Sequence, residues 1–230
     1  MNCADLAVIV ACRNNASTIR DALDSVLSEA RSAALNVEIL VIDKQSTDKT
    51  TDILNEYYDV TLIQQAGQGL ANARNEAISC VTAPIVGFCD ADDAWASGSL
   101  DSRMQILQSS PQSWAVTGRV RFVDRTHSTS GLPPRRQAQV EHPGFTPGAM
   151  LLRQSVFNDV GYFDEDLHIG SDSDWIVKAI QLLGPLAQIN DVVLNKGIRF
   201  GSLSTNTETY RREMMLIARR FVLRAKNNHK

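Results

Sequence analysis

Four short apolar runs separated by helical patterns constrain this chain more than any other feature. Leu6 to Ala11, Val37 to Ile42, Val60 to Gln64 and Ile85 to Cys89 have strand length and are rich in Val and Ile. Between the first two lies a stripe, Ile19, Ala22, Leu23, Val26, Leu27 and Ala30, with the spacing of one helical face, and Thr18 with Asp21 reads as a capping box at its start. Ile53, Leu54 and Tyr57, then Leu70, Ala73, Ala77 and Ile78, repeat the pattern more briefly. Strand, helix, strand at this spacing predicts an α/β fold with a Rossmann-like, mostly parallel central sheet flanked by helices. Such a sheet gathers binding groups at the C-terminal ends of its strands.

Beyond residue 95 the alternation fades. Leu100, Met104 and Leu107 share a face, which predicts a helix over Ser99 to Leu107, and Asp172 to Leu183 reads as another, stopped by Gly184 and Pro185. Residues 124 to 148, with Pro133, Pro134, Pro143 and Pro147, read as a long loop over one mouth of the fold.

Composition narrows the function. The 230 residues are 43% hydrophobic and 21% charged with a net charge of −3, an ordinary globular balance. Residues 206 to 230 hold seven Lys/Arg and two Asp/Glu, leaving 16 basic and 24 acidic residues in the body. An acidic body argues against a nucleic-acid substrate, which needs many cations on one face. Cys3, Cys12, Cys80 and Cys89 match neither zinc-site nor disulfide-framework spacing and read as buried thiols. No apolar run approaches the roughly 18 residues of a membrane span, and Leu6 to Cys12 follows Asp5 without a basic flank. The expectation is a cytoplasmic protein, with the inner face of a membrane as an alternative address.

The densest chemical signal is Asp90-Ala91-Asp92-Asp93, directly after the fourth apolar run. Carboxylates this close repel one another unless a cation sits among them, and hard oxygen ligands at a strand end suit Mg2+ or Mn2+ shared with substrate phosphates. A solvated acidic turn is the plainer alternative.

The chain from Leu6 to Ser204 resembles the family 2 glycosyltransferases, which have the GT-A nucleotide-sugar-binding fold. Val8 to Asn15 is similar to the family's first strand and nucleotide loop, with Ala11 where proline is usual and Arg13 where an aromatic is common. VIDKQSTD, Val41 to Asp48, resembles the DDGSTD segment, keeping Asp43 and replacing the second Asp by Lys44. Gly69 to Asn75 matches G-x-x-x-A-R-N, Asp90-Ala91-Asp92 is the DxD element, and Gly161 to Asp174 is similar to GGFDExLxxGEDxD with Ser171 in place of the Glu. Ile198-Arg199-Phe200-Gly201 stands at the late R-x-H stretch without its histidine, which leaves His142 or His168 as substitutes for a metal ligand.

The resemblance implies an inverting transfer from a nucleotide-diphosphate sugar, UDP-linked by family frequency, to an acceptor hydroxyl. It implies Asp172 as general base, and Ala11, Arg13, Asn14, Asp43, Gly69, Arg74 and Asp90 around the nucleotide. Asp92 and Asp90 would hold Mn2+ or Mg2+, and Trp95, Gly148, Asp174 and Trp175 would stand on the acceptor or donor-sugar side. Asp166, Asp174 and Glu165 would raise the pKa of Asp172. Each residue has a plainer reading: Asp43 or Asp172 as a helix cap, Arg74 as a surface ion pair, Asp90 as a turn former, Trp175 as core. Implied partners are the donor and a glycan, lipid-linked or protein acceptor, in polysaccharide or glycoconjugate synthesis. A non-catalytic nucleotide-sugar-binding module and a sugar nucleotidyltransferase are the competing functions; a phosphatase of the haloacid dehalogenase type would carry its DxD on the first strand.

The expected organisation is one GT-A domain over 1–205, with a nucleotide-binding half, 1–95, and an acceptor-binding half, 96–205. A basic amphipathic helix over 206–230 follows, with Tyr210, Met214, Ile217, Ala218 and Phe221 on one side. Because no matched motif lies beyond Ser204, that helix is expected to serve peripheral membrane contact or homo-oligomer assembly rather than chemistry.

Overall fold

The computed structural model describes residues 4–124, 140–198 and 207–227. The first half forms as its pattern dictates: β1 (Leu6–Cys12), α1 (Ile19–Ser32), β2 (Val37–Asp43), α2 (Thr50–Leu54), β3 (Val60–Gln64), α3 (Gly69–Cys80) and β4 (Ile85–Phe88). β1 pairs in parallel with β2, from Leu6 opposite Val37 to Cys12 opposite Asp43, and with β4, Leu6 opposite Ile85; β3 pairs in parallel with β2. β1 is covered on both faces, which is why it reads as an uninterrupted apolar run rather than an alternating one. α1 buries Ile19, Ala22, Leu23, Val26 and Ala30, as the stripe requires. The capping box does not form. No side chain caps this helix, and the Thr18 hydroxyl donates to the Asn15 carbonyl instead.

The second half contains more sheet than its sequence pattern shows. β5 (Ala94–Trp95), α4 (Ser99–Ser109), β6 (Ala115–Asp124), β7 (Glu141–Pro143), a 3-10 turn (Pro147–Ala149), β8 (Met150–Arg153), α5 (Val156–Val160), α6 (Ser171–Leu183), β9 (Ala187–Ile198) and α7 (Thr207–Asn227) follow. Among the described residues the strands run in the order β3-β2-β1-β4-β8-β6-β9-β5, with β7 attached to β6. Antiparallel β8 joins the halves, pairing with β4 on one edge and β6 on the other. β9 runs parallel to β6 through register shifts around Gly118. A Cβ on Gly118 would lie 2.7 Å from the Asp191 carbonyl oxygen, so a side chain there would push the two strands apart.

The segment expected as a long loop therefore carries β7 and the 3-10 turn, while 125–139 lies outside the described residues. One apolar layer fills the side of α1 and α4, and the other fills the side of α3, α5 and α6. Cys12 and Cys89 are buried as expected; Cys80 is exposed on the last turn of α3.

α7 lies against the body through a face different from the one its apolar pattern suggests. Ile217 is buried, but so is Glu213, while Tyr210 and Phe221 are about half exposed. Its outward side carries Met215, Leu216, Val222 and Leu223 interleaved with exposed Arg211, Arg212 and Arg219. Among the described residues, no helix is long and apolar enough to cross a membrane.

Candidate active site

The C-terminal ends of β1, β2 and β4 open into one cavity of about 540 Å³, within the range of small-molecule sites, roughly 300–1,000 Å³. Its walls come from four stretches. Ala11 and Cys12 end β1, and Arg13 and Asn15 follow it; Lys44, Gln65, Gln68, Gly69 and Leu70 follow β2 and β3; Asp90, Ala91 and Asp92 follow β4. Phe122, Thr146, His168, Ile169, Ser171, Asp172, Lys196, Gly197 and Ile198 close the other side.

The first two stretches hold each other in shape. Asn14, at φ 54°, accepts the Thr47 N–H at 2.8 Å and donates its own N–H to Ser46 Oγ at 2.9 Å. Asn15 N–H donates to Thr50 Oγ1 and Ala16 N–H to Asp48. Asp43, only 1% exposed, accepts from Ser46 N–H, Ser46 Oγ and Cys12 Sγ. Lys44 reaches the Gly67 carbonyl.

The third and fourth stretches meet on a buried arginine. Arg74, 1% exposed, donates to Asp90 Oδ1 at 2.9 Å and to Asp172 Oδ1. Its guanidinium lies 5.6 Å from the centre of the Phe88 ring and 5.7 Å from that of Phe163, so the cation is closed in by aromatic faces. Next to it, Asn75 bonds Phe163 N–H, the Phe163 carbonyl and Glu165, which fixes the turn leading to α6. Burial disfavours the charged form of Arg74, yet Asp172 and then Asp90 outweigh it and keep its pKa above the ordinary value. Burial also works against ionised Asp90, but Arg74 and Lys196 hold its carboxyl down at about 2. The Asp172 carboxyl moves the other way: burial, helped by Asp90, pushes it up against the pull of Arg74 and Lys196.

A second cation stands beside Asp90. Lys196 Nζ is 3.0 Å from Asp93 Oδ2 and 3.5 Å from Asp90 Oδ2, and Asp93 Oδ1 accepts the Gly197 N–H at 2.9 Å. Asp93 is 1% exposed, and burial with its acidic neighbours pushes its carboxyl up to about 6 against the pull of Lys196.

The sequence profile of the glycosyl transferase family 2 matches residues 7–161. The chain belongs to this family. Its fold is the GT-A fold: TarS 1-349 from S. aureus in complex with UDP superposes with a TM-score of 0.71 at 20% identity, covering 93% of this chain and 64% of that one. The mannosyltransferase PcManGT from Pyrobaculum calidifontis, solved with GDP-Man and Mn2+, gives 0.66 at 21% identity over 89% and 60%. Among curated relatives, the succinoglycan biosynthesis protein ExoU of Rhizobium meliloti is 27% identical over 200 residues, 76% of this chain and 57% of that protein. The poly-beta-1,6-N-acetyl-D-glucosamine synthase of Staphylococcus epidermidis is 28% identical over 178 residues, 70% and 42%. The chain thus spans between two fifths and three fifths of the length of these two relatives.

Within this family 2 member, the motif residues do not all reach the cavity. Ala11, Arg13, Gly69, Asp90, Asp92 and Asp172 line it. Asn14 and Asp43 shape the loops beneath it, and neither Asp43 nor Asp172 makes a side-chain cap at a helix start. Arg74 is neither a surface ion pair nor a cavity residue; it joins two motifs from below. Trp95 is core rather than a wall of the donor site, with its indole N–H on the Phe88 carbonyl and Arg103 stacked 4.7 Å over the ring. Trp175 is also core, against Phe157 and Phe163, and Gly148 packs beneath Leu194. Asp174 is buried and paired with Arg220 and Arg224 and does not line the cavity. Asp90, not Asp166, Asp174 or Glu165, is the carboxylate that helps burial raise the pKa of Asp172.

Two residues outside every motif matter as much. One is Lys196. The other is Glu213 on α7, which accepts the backbone N–H groups of His168, Ile169 and Gly170 at 3.0, 2.9 and 2.7 Å, immediately before Asp172. Its sequence signal was an acidic residue one position from the expected apolar stripe.

The donor set for a divalent ion is sparse. Asp90 and Asp93 already accept from Arg74, Lys196 and Gly197, and among the described residues no three His, Cys, Asp or Glu side chains are grouped to hold a metal. His142 lies against Phe122 and does not line the cavity, whereas His168 does. Asp92, beside Asp90 on the cavity wall, suits Mg2+ or Mn2+ of the kind held mainly by substrate phosphates and water rather than an all-protein cage.

Proposed function

We propose that the chain transfers a sugar from a nucleoside-diphosphate donor to an acceptor hydroxyl with inversion, and that UDP is the carrier. The observation that carries this reading is Arg74. By binding Asp90 and Asp172 at once, it sets the DxD carboxylate and the first turn of α6 on the wall of one cavity. A donor bound across the ends of β1, β2 and β4 then has its reacting carbon within reach of Asp172. Complexes of TarS with UDP and with UDP-GlcNAc support the choice of carrier.

In this mechanism the Asp172 carboxylate accepts the acceptor's hydroxyl proton while the hydroxyl oxygen attacks the anomeric carbon from the face opposite the diphosphate. The nucleoside diphosphate leaves with the bonding electron pair. A carboxyl raised by burial is a better base near neutral pH than an exposed one. Arg74 holds one oxygen of Asp172 in place, and Asp92 would hold the divalent ion. When bound, that ion neutralises charge gathering on the departing diphosphate.

The test compares Asp172→Asn with Asp92→Asn. Asp172→Asn should bind UDP in Mn2+ like the parent and lose about 10²- to 10⁴-fold in turnover of UDP-sugars, the usual cost of removing a general base. Asp92→Asn should also lose UDP affinity. Wild-type turnover by Asp172→Asn refutes the assignment. Failure of the parent to release UDP from any UDP-sugar favours a binding module, and release of pyrophosphate from a sugar phosphate and a nucleoside triphosphate identifies a nucleotidyltransferase. We further place peripheral attachment, to an anionic membrane or a second copy, on the outward face of α7.

A further inference from the structure

β9 brings into the cavity a lysine that none of the family motifs contains. Lys196 is anchored from behind by Asp93, which is itself closed off from solvent and held by the Gly197 N–H. From the side it is steadied by Asp90 at 3.5 Å, and 30% of its side chain stays exposed on the cavity wall. A free surface lysine loses rotamer entropy when it meets an anion; this one is ordered before the ligand arrives.

The same geometry changes the charge that a diphosphate would meet. Of the three adjacent carboxylates, Asp90 is paired twice and Asp93 once by cations of the protein, so the turn is less repulsive than its sequence suggests. Arg74 lies beneath the wall and Arg13 and Lys44 line it on the β1 and β2 side, whereas Lys196 pairs directly with Asp90 and Asp93 on the cavity side.

We propose that Lys196 is a donor-binding residue whose ammonium pairs with a phosphate oxygen of the nucleoside diphosphate, a fixed cation that works beside the divalent ion and persists without it. The proposal rests on the nucleotide-sugar reading above. Its competitor is a purely structural lysine that neutralises Asp93.

Lys196→Met alone leaves Asp93 buried and unpaired, so the deciding variant is Asp93→Asn with Lys196→Met. This removes both charges and keeps an amide oxygen for the Gly197 N–H. With folding confirmed by circular dichroism, UDP affinity is measured by titration calorimetry in Mn2+ and in chelator. The expected result is binding weaker by about ten- to a hundredfold in both conditions, the scale of a lost hydrogen bond to a charged group, with Asp93→Asn alone losing less than the double variant because Lys196 keeps its charge, and Lys196→Arg recovering part of the loss. A folded double variant that binds UDP like the parent overturns the proposal and leaves Lys196 structural. A parent protein that binds none of UDP, GDP, ADP or dTDP sinks the nucleotide reading itself, and this inference with it.

Discussion

Replacing Glu213 by alanine removes one carboxylate and leaves three backbone N–H groups, those of His168, Ile169 and Gly170, without their acceptor. A hydrogen bond to a charged group contributes about 1.5–3 kcal/mol when both partners are buried. The His168 to Gly170 turn is only partly covered, so water reclaims some of the loss, and about 3 kcal/mol in total is expected rather than three full bonds. For a chain of this size each kcal/mol moves Tm by about 2–4 °C, which predicts a fall of about 6–12 °C by scanning calorimetry. The pH dependence has a defined sign. Burial raises the Glu213 carboxyl, but the Gly170, Ile169 and His168 N–H groups outweigh it and hold the pKa below the ordinary value. A carboxylate depressed in the folded state adds stability above its unfolded pKa of about 4.3 and loses it as pH falls through the folded value. The gap between parent and variant should therefore be full at pH 7 and shrink below about pH 4. A Tm change under about 2 °C at pH 7, or a gap that widens on acidification, refutes the reasoning.

The structure supports three further tests. Gly170→Ala places a Cβ 2.9 Å from Ile217 Cδ1 and 3.1 Å from Met214 Cε, both ends of flexible side chains that can swing aside; the overpacking should cost no more than about 1 kcal/mol in a denaturant titration, and Ile217→Val should recover part of it. Thiol labelling of the folded protein should modify Cys80 rapidly while Cys12 and Cys89, buried and with pKa values pushed up first by desolvation, stay inert until unfolding, read by mass spectrometry of digested peptides. Met215→Ser with Leu223→Ser should reduce flotation with anionic vesicles or shift the oligomeric state, without touching Glu213. Deletion of α7 is not an equivalent test, because it also removes the clamp on the turn before Asp172.

The half of the fold that holds β1 to β4 was legible because its signals are local. Each of β1 to β4 is a self-contained apolar run, and Asp90 and Asp92 follow the fourth by the logic of a parallel sheet. β9 shows no single sequence pattern because its cover changes along its length: Gln188, Asn190 and Asp191 are exposed, whereas Val193 and Leu194 are buried, so Ala187 to Ile198 has neither continuous apolarity nor clean alternation. Trp95 shows a different limit. Proximity to the DxD along the chain suggested the donor site, but the turn through Asp93 sends the indole back to the Phe88 carbonyl and into the core. Lys196 and Asp93 are 103 residues apart, and no sequence period connects them.

α7 also fixes an order of events during folding. Among the described residues every strand ends by Ile198, as do the DxD turn and Asp172, yet the turn that precedes Asp172 takes its acceptor from Glu213, 43 to 45 residues further along. Asp174 likewise waits for Arg224, 50 residues on. A nascent chain released as far as β9 can form its sheet but still presents an unclamped acidic turn. The cavity wall that carries Asp172 thus becomes rigid only when α7 has been made and returns to it.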